Sequence, residues 1–209
     1  MQELLQRLRQ HYPDAKYELN FQSPFQLLIA TILAAQCTDE RVNKVTATLF
    51  PKYPTPQAFV DADVAELEAA LTPTGFFRQK TKTVQAVCKA LLEHHAGEVP
   101  PQLAALVKLP GVGRKTANVV LNTAFGIPSG IIVDTHVARV SQRLGLVPMT
   151  DPERKDSAEQ IEAQLMALVP QQDWCSFGPA MVLHGRYTCT ARKPSCATCG
   201  LRSLCKNPS

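Results

Sequence analysis

No apolar run in this 209-residue chain is long enough to cross a bilayer: the longest, Phe25 to Ala35, is interrupted by Gln26 and Thr31 and falls well short of the roughly 20 residues that a span requires. The opening residues, MQELLQRLRQHY, have neither an apolar signal core nor a small-residue cleavage site, so the chain reads as cytoplasmic rather than secreted or membrane-bound. Low-complexity tracts and repeats are also missing, which excludes fibrous, solenoid and disordered architectures. Strand patterns are nearly absent: Ile131 to Val133 is short and isolated, too little to found a sheet.

Apolar content is 45%, ample for a core without disulfide staples. Its period is helical almost throughout. Val42, Val45 and Leu49 share a face, as do Val84, Val87, Cys88, Leu91 and Leu92, and Ala158, Ile161, Leu165 and Leu168. Start signals stand at Ser23-Pro24, Thr38, Asp63 and Asp151-Pro152, and stops at Gly97, Gly126 and Gly145. The fold class is all-α, with about ten helices. The turn Gly126-Ile127-Pro128-Ser129-Gly130 is the best internal break.

Net charge is only +4, but it is unevenly spread. Between Arg78 and Lys115 seven basic residues (Arg78, Lys80, Lys82, Lys89, Lys108, Arg114, Lys115) face two acidic ones, whereas Asp151 to Glu162 carries five acidic residues against two basic. A basic face of this kind suits a polyanion, with affinity that is salt-dependent and largely indifferent to sequence. Four of the seven cysteines, Cys189, Cys196, Cys199 and Cys205, crowd into a C-x6-C-x2-C-x5-C tail. Four thiolates complete a tetrahedral zinc site or hold an iron-sulfur cluster, and the single tight pair with long unequal flanks favours neither decisively. The same segment holds Arg186, Arg192, Lys193, Arg202 and Lys206 and no carboxylate. Those cations either balance the thiolates or present a positive surface to phosphate.

Leu109 to Thr116 reads LPGVGRKT, between a short helix and a longer one running to Phe125. It is not a nucleotide-binding loop, because Gly113 is followed by Arg114 rather than Lys and the preceding segment is helical. A helix-hairpin-helix fits better: Gly111 and Gly113, around Val112, let the backbone turn tightly and aim the N-H groups of the second helix, beginning at Arg114, at a DNA phosphate. Lys115 then occupies that helix's first turn, where an amine is placed to act as a nucleophile. Asp134 precedes Thr135-His136-Val137-Ala138-Arg139-Val140 and reads as a helix N-cap that still has a carboxylate oxygen to offer. Amine and carboxylate at helix termini suit covalent chemistry at a cationic carbon.

On LLIATILAAQCTDERVNK, GEVPPQLAALVKLPGVGRKTANVVLNTAFG, VDTHVARV and LHGRYTC with its cysteine tail, the chain resembles the endonuclease III family of helix-hairpin-helix DNA glycosylases over nearly its whole length. The resemblance implies two helical domains flanking a DNA-binding cleft, residues 22–131 forming one and 1–21 plus 132–209 the other. It implies a [4Fe-4S] cluster on Cys189, Cys196, Cys199 and Cys205, with Lys115 as nucleophile and Asp134 as catalytic carboxylate. The activity implied is that of a bifunctional glycosylase and abasic-site lyase, acting as a monomer on double-stranded DNA containing damaged pyrimidines or abasic sites. Gln36 matches a residue that fills the gap left by a flipped base, and Phe76 matches a wedge where Leu is more usual; a core position is the other reading of Phe76. With the hairpin residues Gly111, Val112, Gly113 and Arg114, the loop cations Arg186, Arg192 and Lys193 complete the implied DNA contacts. Two alternatives stand beside this: an adenine-mismatch glycosylase, which lacks a lysine at the position of Lys115, and a catalytically silent iron-sulfur DNA binder or redox sensor.

Overall fold

The computed structural model describes residues 1–148 and 157–207. Eleven α-helices occur among them: α1 Gln2–His11, α2 Pro24–Leu33, α3 Asp39–Lys52, α4 Pro56–Val60, α5 Val64–Leu71, α6 Phe77–His95, α7 Leu103–Leu106, α8 Arg114–Ala124, α9 Thr135–Leu144, α10 Ser157–Leu168 and α11 Trp174–Tyr187. The residues between Gly130 and Asp134 form no strand, so the all-α class stands. Asp151-Pro152, expected to open a helix, and the first part of the acidic run lie outside the described residues. No described helix is long and apolar enough to cross a membrane.

The chain folds as two compact units, Glu18–Ile127 and Met1–Tyr17 with Pro128–Ser209. Residues 18–21, expected with the N-terminal helix, are tied instead to α3: the Asn20 N-H donates to Asn43 Oδ1 at 2.8 Å, and Asn43 Nδ2 donates to the Glu18 carbonyl at 2.7 Å. Ile131, expected in the helical module, is buried in the core of the other unit.

In the unit Glu18–Ile127, α2 is the central rod. Leu27, Leu28, Ile29, Ala30 and Leu33 are fully buried, as the all-round apolarity of this helix dictates. Its polar interruption is neutralised locally, Thr31 Oγ1 donating to the Leu27 carbonyl at 2.7 Å. Ser23 caps α2 by accepting from the Gln26 N-H, with Pro24 following, while Thr38 and Asp63 cap α3 and α5 in the same way. Around α2 pack α3, α6 and α8, and α4 lies on α6, where Gln85 Nε2 donates to the Phe59 and Ala62 carbonyls at 3.2 and 3.3 Å.

In the other unit, Leu4, Leu5 and Leu8 of α1 pack with Val137, Val140 and Leu144 of α9, Ile161 and Leu165 of α10, and Phe177 and Met181 of α11. Of the four positions expected on the buried face of α10, Ala158 and Leu168 are exposed; Val169, just past the helix end, supplies the third buried residue instead. Gly145 closes α9 in the left-handed region at φ 70°, as its sequence position predicts.

Candidate functional site

Arg114 and Lys115 open α8, and no side chain caps that helix, so Lys115 stands exposed in a first turn whose amide dipoles point outward. The glycines before it differ. Gly111 is left-handed at φ 72°, and a Cβ there would sit 2.5 Å from Thr83 Cγ2. Gly113 is extended, at φ −84° and ψ 172°, with open space around it. Only Gly111 makes the turn; Gly113 serves as the bare N-cap. Val112 is buried and its N-H donates to the Leu109 carbonyl at 3.1 Å, which fastens the hairpin to its unit.

Asp134 caps α9. Its Oδ1 accepts from the N-H groups of both His136 and Val137 at 2.8 Å, leaving the second oxygen outside the cap. His136 is engaged locally, Nδ1 lying 3.1 Å from Arg139 Nη2. Sequence reasoning missed Tyr17, whose hydroxyl is buried without a hydrogen-bond partner in the structure. Burial, and then the negative charge of Asp134, push that phenol above its ordinary range. Its signal in the sequence was faint: one aromatic in a loop.

Gln36 and Phe76 are both non-glycine residues in the left-handed region, at φ 53° and 48°. Such a conformation costs about 1–2 kcal/mol and persists where surrounding contacts dictate it. Phe76 is 65% exposed, so the core reading of this residue is wrong: Gly75, left-handed at φ 70°, turns it outward. Lys80, expected on a basic face, is a second correction. It is 5% exposed, and its Nζ donates to the carbonyls of Leu33 and Thr74 at 2.8 Å each. Burial holds this ammonium below the usual lysine value. The clue was its register, one turn before Val84 on the apolar stripe of α6.

The four tail cysteines line one cavity together with Arg143, His184 and Thr188. Among the described residues, no three His, Cys, Asp or Glu side chains converge where a single metal ion would bind. Thiols spread around a cavity fit a cluster, whereas four ligands at zinc-sulfur distance of about 2.3 Å would meet at a point. N-H groups are directed at the sulfurs, as a cluster requires: Arg143 Nη1 lies 3.4 Å from Cys189 Sγ and the Leu201 N-H 3.4 Å from Cys199 Sγ. His184 Nε2 is 3.7 Å from Cys199 Sγ, and its Nδ1 is 3.0 Å from the Tyr12 hydroxyl. Burial, and the proximity of the other three cysteines, raise the Cys199 thiol. Arg143 is the cation that touches a ligand sulfur, and it also donates to the carbonyls of Thr190 and Ala191 at 2.7 and 2.9 Å. Arg192 and Lys193 are exposed and Arg186 is half-buried.

Residues 29–171 match the model of the HhH-GPD superfamily of base excision DNA repair proteins, and residues 189–205 match that of the iron-sulfur binding domain of endonuclease III. Endonuclease III of Synechocystis sp. is 53% identical over 203 residues, 97% of this chain and 90% of that protein. The Escherichia coli K12 enzyme is 47% identical, over 98% and 93% of the two chains. Among solved structures, a non-covalent endonuclease III–DNA complex superposes with a TM-score of 0.91 at 44% identity, covering 99% of this chain and 94% of that one. A trapped endonuclease III–DNA covalent intermediate superposes equally well at 43% identity, over the same shares. With its hairpin, its helical fold and its C-terminal [4Fe-4S] domain, this chain belongs to the endonuclease III family of base excision repair proteins.

Proposed function

We propose that this bifunctional DNA glycosylase and abasic-site lyase uses Lys115 as its nucleophile and Asp134 as its carboxylate, and that its substrates are oxidised pyrimidines in duplex DNA. The observation that carries the assignment is an exposed lysine in the uncapped first turn of α8, in a chain similar throughout to one trapped covalently on DNA. Asp134 takes a proton from the Lys115 ammonium. The freed amine attacks C1′ of the lesion's sugar, the C1′–N bond breaks, and the base leaves with its electron pair and a proton. Asp134 passes its proton to the leaving base, and the carboxylate so restored offsets positive charge on the sugar. The sugar ring then opens, the C1′–O4′ bond breaking as O4′ takes a proton, and the resulting iminium acidifies the neighbouring C2′ proton; its loss expels the 3′ phosphate by β-elimination, and hydrolysis of the imine returns the lysine.

Around this step, Gln36 fills the space vacated by the flipped nucleotide and Phe76 wedges from the other side. The amides of Gly113 and Arg114 after the Gly111 turn grip a phosphate without reading sequence, and buried Val112 anchors the turn beneath them. Arg186, Arg192 and Lys193 extend that grip from the cysteine loop. Cys189, Cys196, Cys199 and Cys205 hold the cluster, which supplies folding free energy to a loop with little core of its own. One protein acts per lesion, in the cytoplasm.

The test is borohydride trapping on a duplex containing thymine glycol. The intact protein forms a covalent complex and nicks the strand; Lys115→Gln binds the lesion but neither releases base nor traps. Base release without trapping makes water the nucleophile, and appreciable nicking by Lys115→Gln overturns the assignment.

A further inference from the structure

Lys80 is a buried cation that the proposed chemistry does not use. It sits on the stripe of α6 that carries Val84, Val87 and Cys88 into the core, and among the described residues no carboxylate pairs with it; its charge is met by two carbonyl dipoles. Both acceptors are ends of helical segments. Leu33 is the last residue of α2, and Thr74 is the last residue of the 3-10 turn Thr72–Thr74. Terminal carbonyls have no partner within their own helix and carry the negative end of its dipole, so one ammonium caps two segments at once. Thr74 is itself buried, its Oγ1 donating to the Leu71 carbonyl at 2.8 Å.

Beyond both capped carbonyls the chain behaves alike. Three residues after Leu33 comes Gln36, and two after Thr74 comes Phe76; each is exposed and left-handed without being glycine. Two strained residues thus project from roots fixed to the same buried nitrogen. Neither root is free to shift without breaking a hydrogen bond to a charged donor, which is stronger than one between neutral groups.

We propose that Lys80 is a positioning residue for base extrusion: it locks the gap-filling loop of Gln36 and the wedge loop of Phe76 to one point, so that the two enter the duplex as a single rigid tool. This rests on the reading of Gln36 and Phe76 as the residues that enter DNA. Lys80 touches no substrate; it acts through the two loops. Its loss weakens the step in which a paired base must be displaced and falls much less on a substrate whose base is already gone.

The experiment compares cluster-loaded wild type, Lys80→Met, Gln36→Ala, Phe76→Ala, the Gln36→Ala/Phe76→Ala double variant, and Lys80→Met combined with both alanines. Single-turnover base release is followed from a thymine glycol duplex and strand cleavage from a preformed abasic site, and a 2-aminopurine beside the lesion reports extrusion. Lys80→Met is expected to slow base release by about 10- to 100-fold, the cost of misplacing a positioned group, to reduce the 2-aminopurine signal, and to slow abasic-site cleavage far less. In the double-alanine background Lys80→Met costs nothing further, because the groups it positions are absent. Should Met cost too much stability, Lys80→Gln, which keeps two N-H donors but not the charge, carries the same comparison. Equal slowing on both substrates, unchanged extrusion, or full additivity with the alanines overturns the role of Lys80. If Gln36→Ala and Phe76→Ala themselves leave extrusion intact, the reading of the loops fails first and the inference falls with it.

Discussion

Cys88 is fully buried, and burial pushes its thiol up to about 12 from an ordinary value of 9.0. The folded state therefore keeps this proton over a range in which the unfolded chain has lost it. The contribution is complete below pH 9 and is lost as pH rises toward 12, at no more than about 1.4 kcal/mol per pH unit. Lys80 works in the opposite sense nearby, since its lowered pKa penalises the folded state at neutral pH and relents as pH climbs toward the usual lysine value. Denaturant unfolding at pH 8, 9 and 10 separates the two: Cys88→Ala is expected to lack part of the alkaline decline seen in wild type, and parallel curves would refute it. Residue by residue, the chemistry was the more legible part. Lys115, Asp134 and the four cysteines are picked out as candidates by local motifs and by the family resemblance. Lys80, Arg143 and Tyr17 are not, because a buried or half-buried polar side chain is recognised by its surroundings, which include Leu33, 47 residues from Lys80, and Cys189, 46 from Arg143.

Among elements, the hairpin holds the sharpest contrast. Sequence alone treats Gly111 and Gly113 as equivalent hinges, yet only Gly111 combines a left-handed φ with a Cβ position occupied by Thr83. Gly111→Ala is expected to cost about 1–3 kcal/mol, and Gly113→Ala only a few tenths, because the loss of a preferred N-cap residue is largely offset by the lower unfolded-chain entropy of Ala where the native backbone is extended and the space open. Denaturant midpoints of the two variants check this; equal losses would mean that the turn tolerates a side chain. Helix starts at Ser23, Thr38, Asp63 and Asp134 were readable because a cap is a local event, one side chain meeting an amide two or three residues on. The face of α10 was less so: an apolar period marks a stripe, but which end of the stripe meets a partner is decided by other helices. The unit boundaries are tertiary in the same way, Asn43 claiming residues 18–20 for a helix that begins at Asp39.

For the molecule as a whole, the cluster loop is fastened mainly to distant segments of its own unit. Arg7 of α1 donates to the Gly200 carbonyl and to Ser203 Oγ, each at 2.8 Å, Tyr12 reaches His184 and Thr188, and the Arg143 carbonyl accepts from the Asn207 N-H at 3.1 Å. Removing iron with a chelator is expected to speed amide exchange in α1, in the C-terminal turn of α11 and in residues 189–207, while α2 and the middle of α6 keep their protection. Uniform loss of protection would show that the two units unfold as one.

That fastening joins the first residues of the chain to the last. On the ribosome, Leu4, Leu5 and Leu8 emerge well before their partners in α9 to α11, which do not begin until Thr135. At ordinary translation speeds the amphipathic first helix waits on the order of ten seconds with its apolar face uncovered, while residues 18–127 meet all their own partners. Synthesis thus runs ahead on the unit that bears Lys115 and finishes on the one that bears Asp134, so a nascent chain holds the proposed nucleophile well before the proposed carboxylate is made.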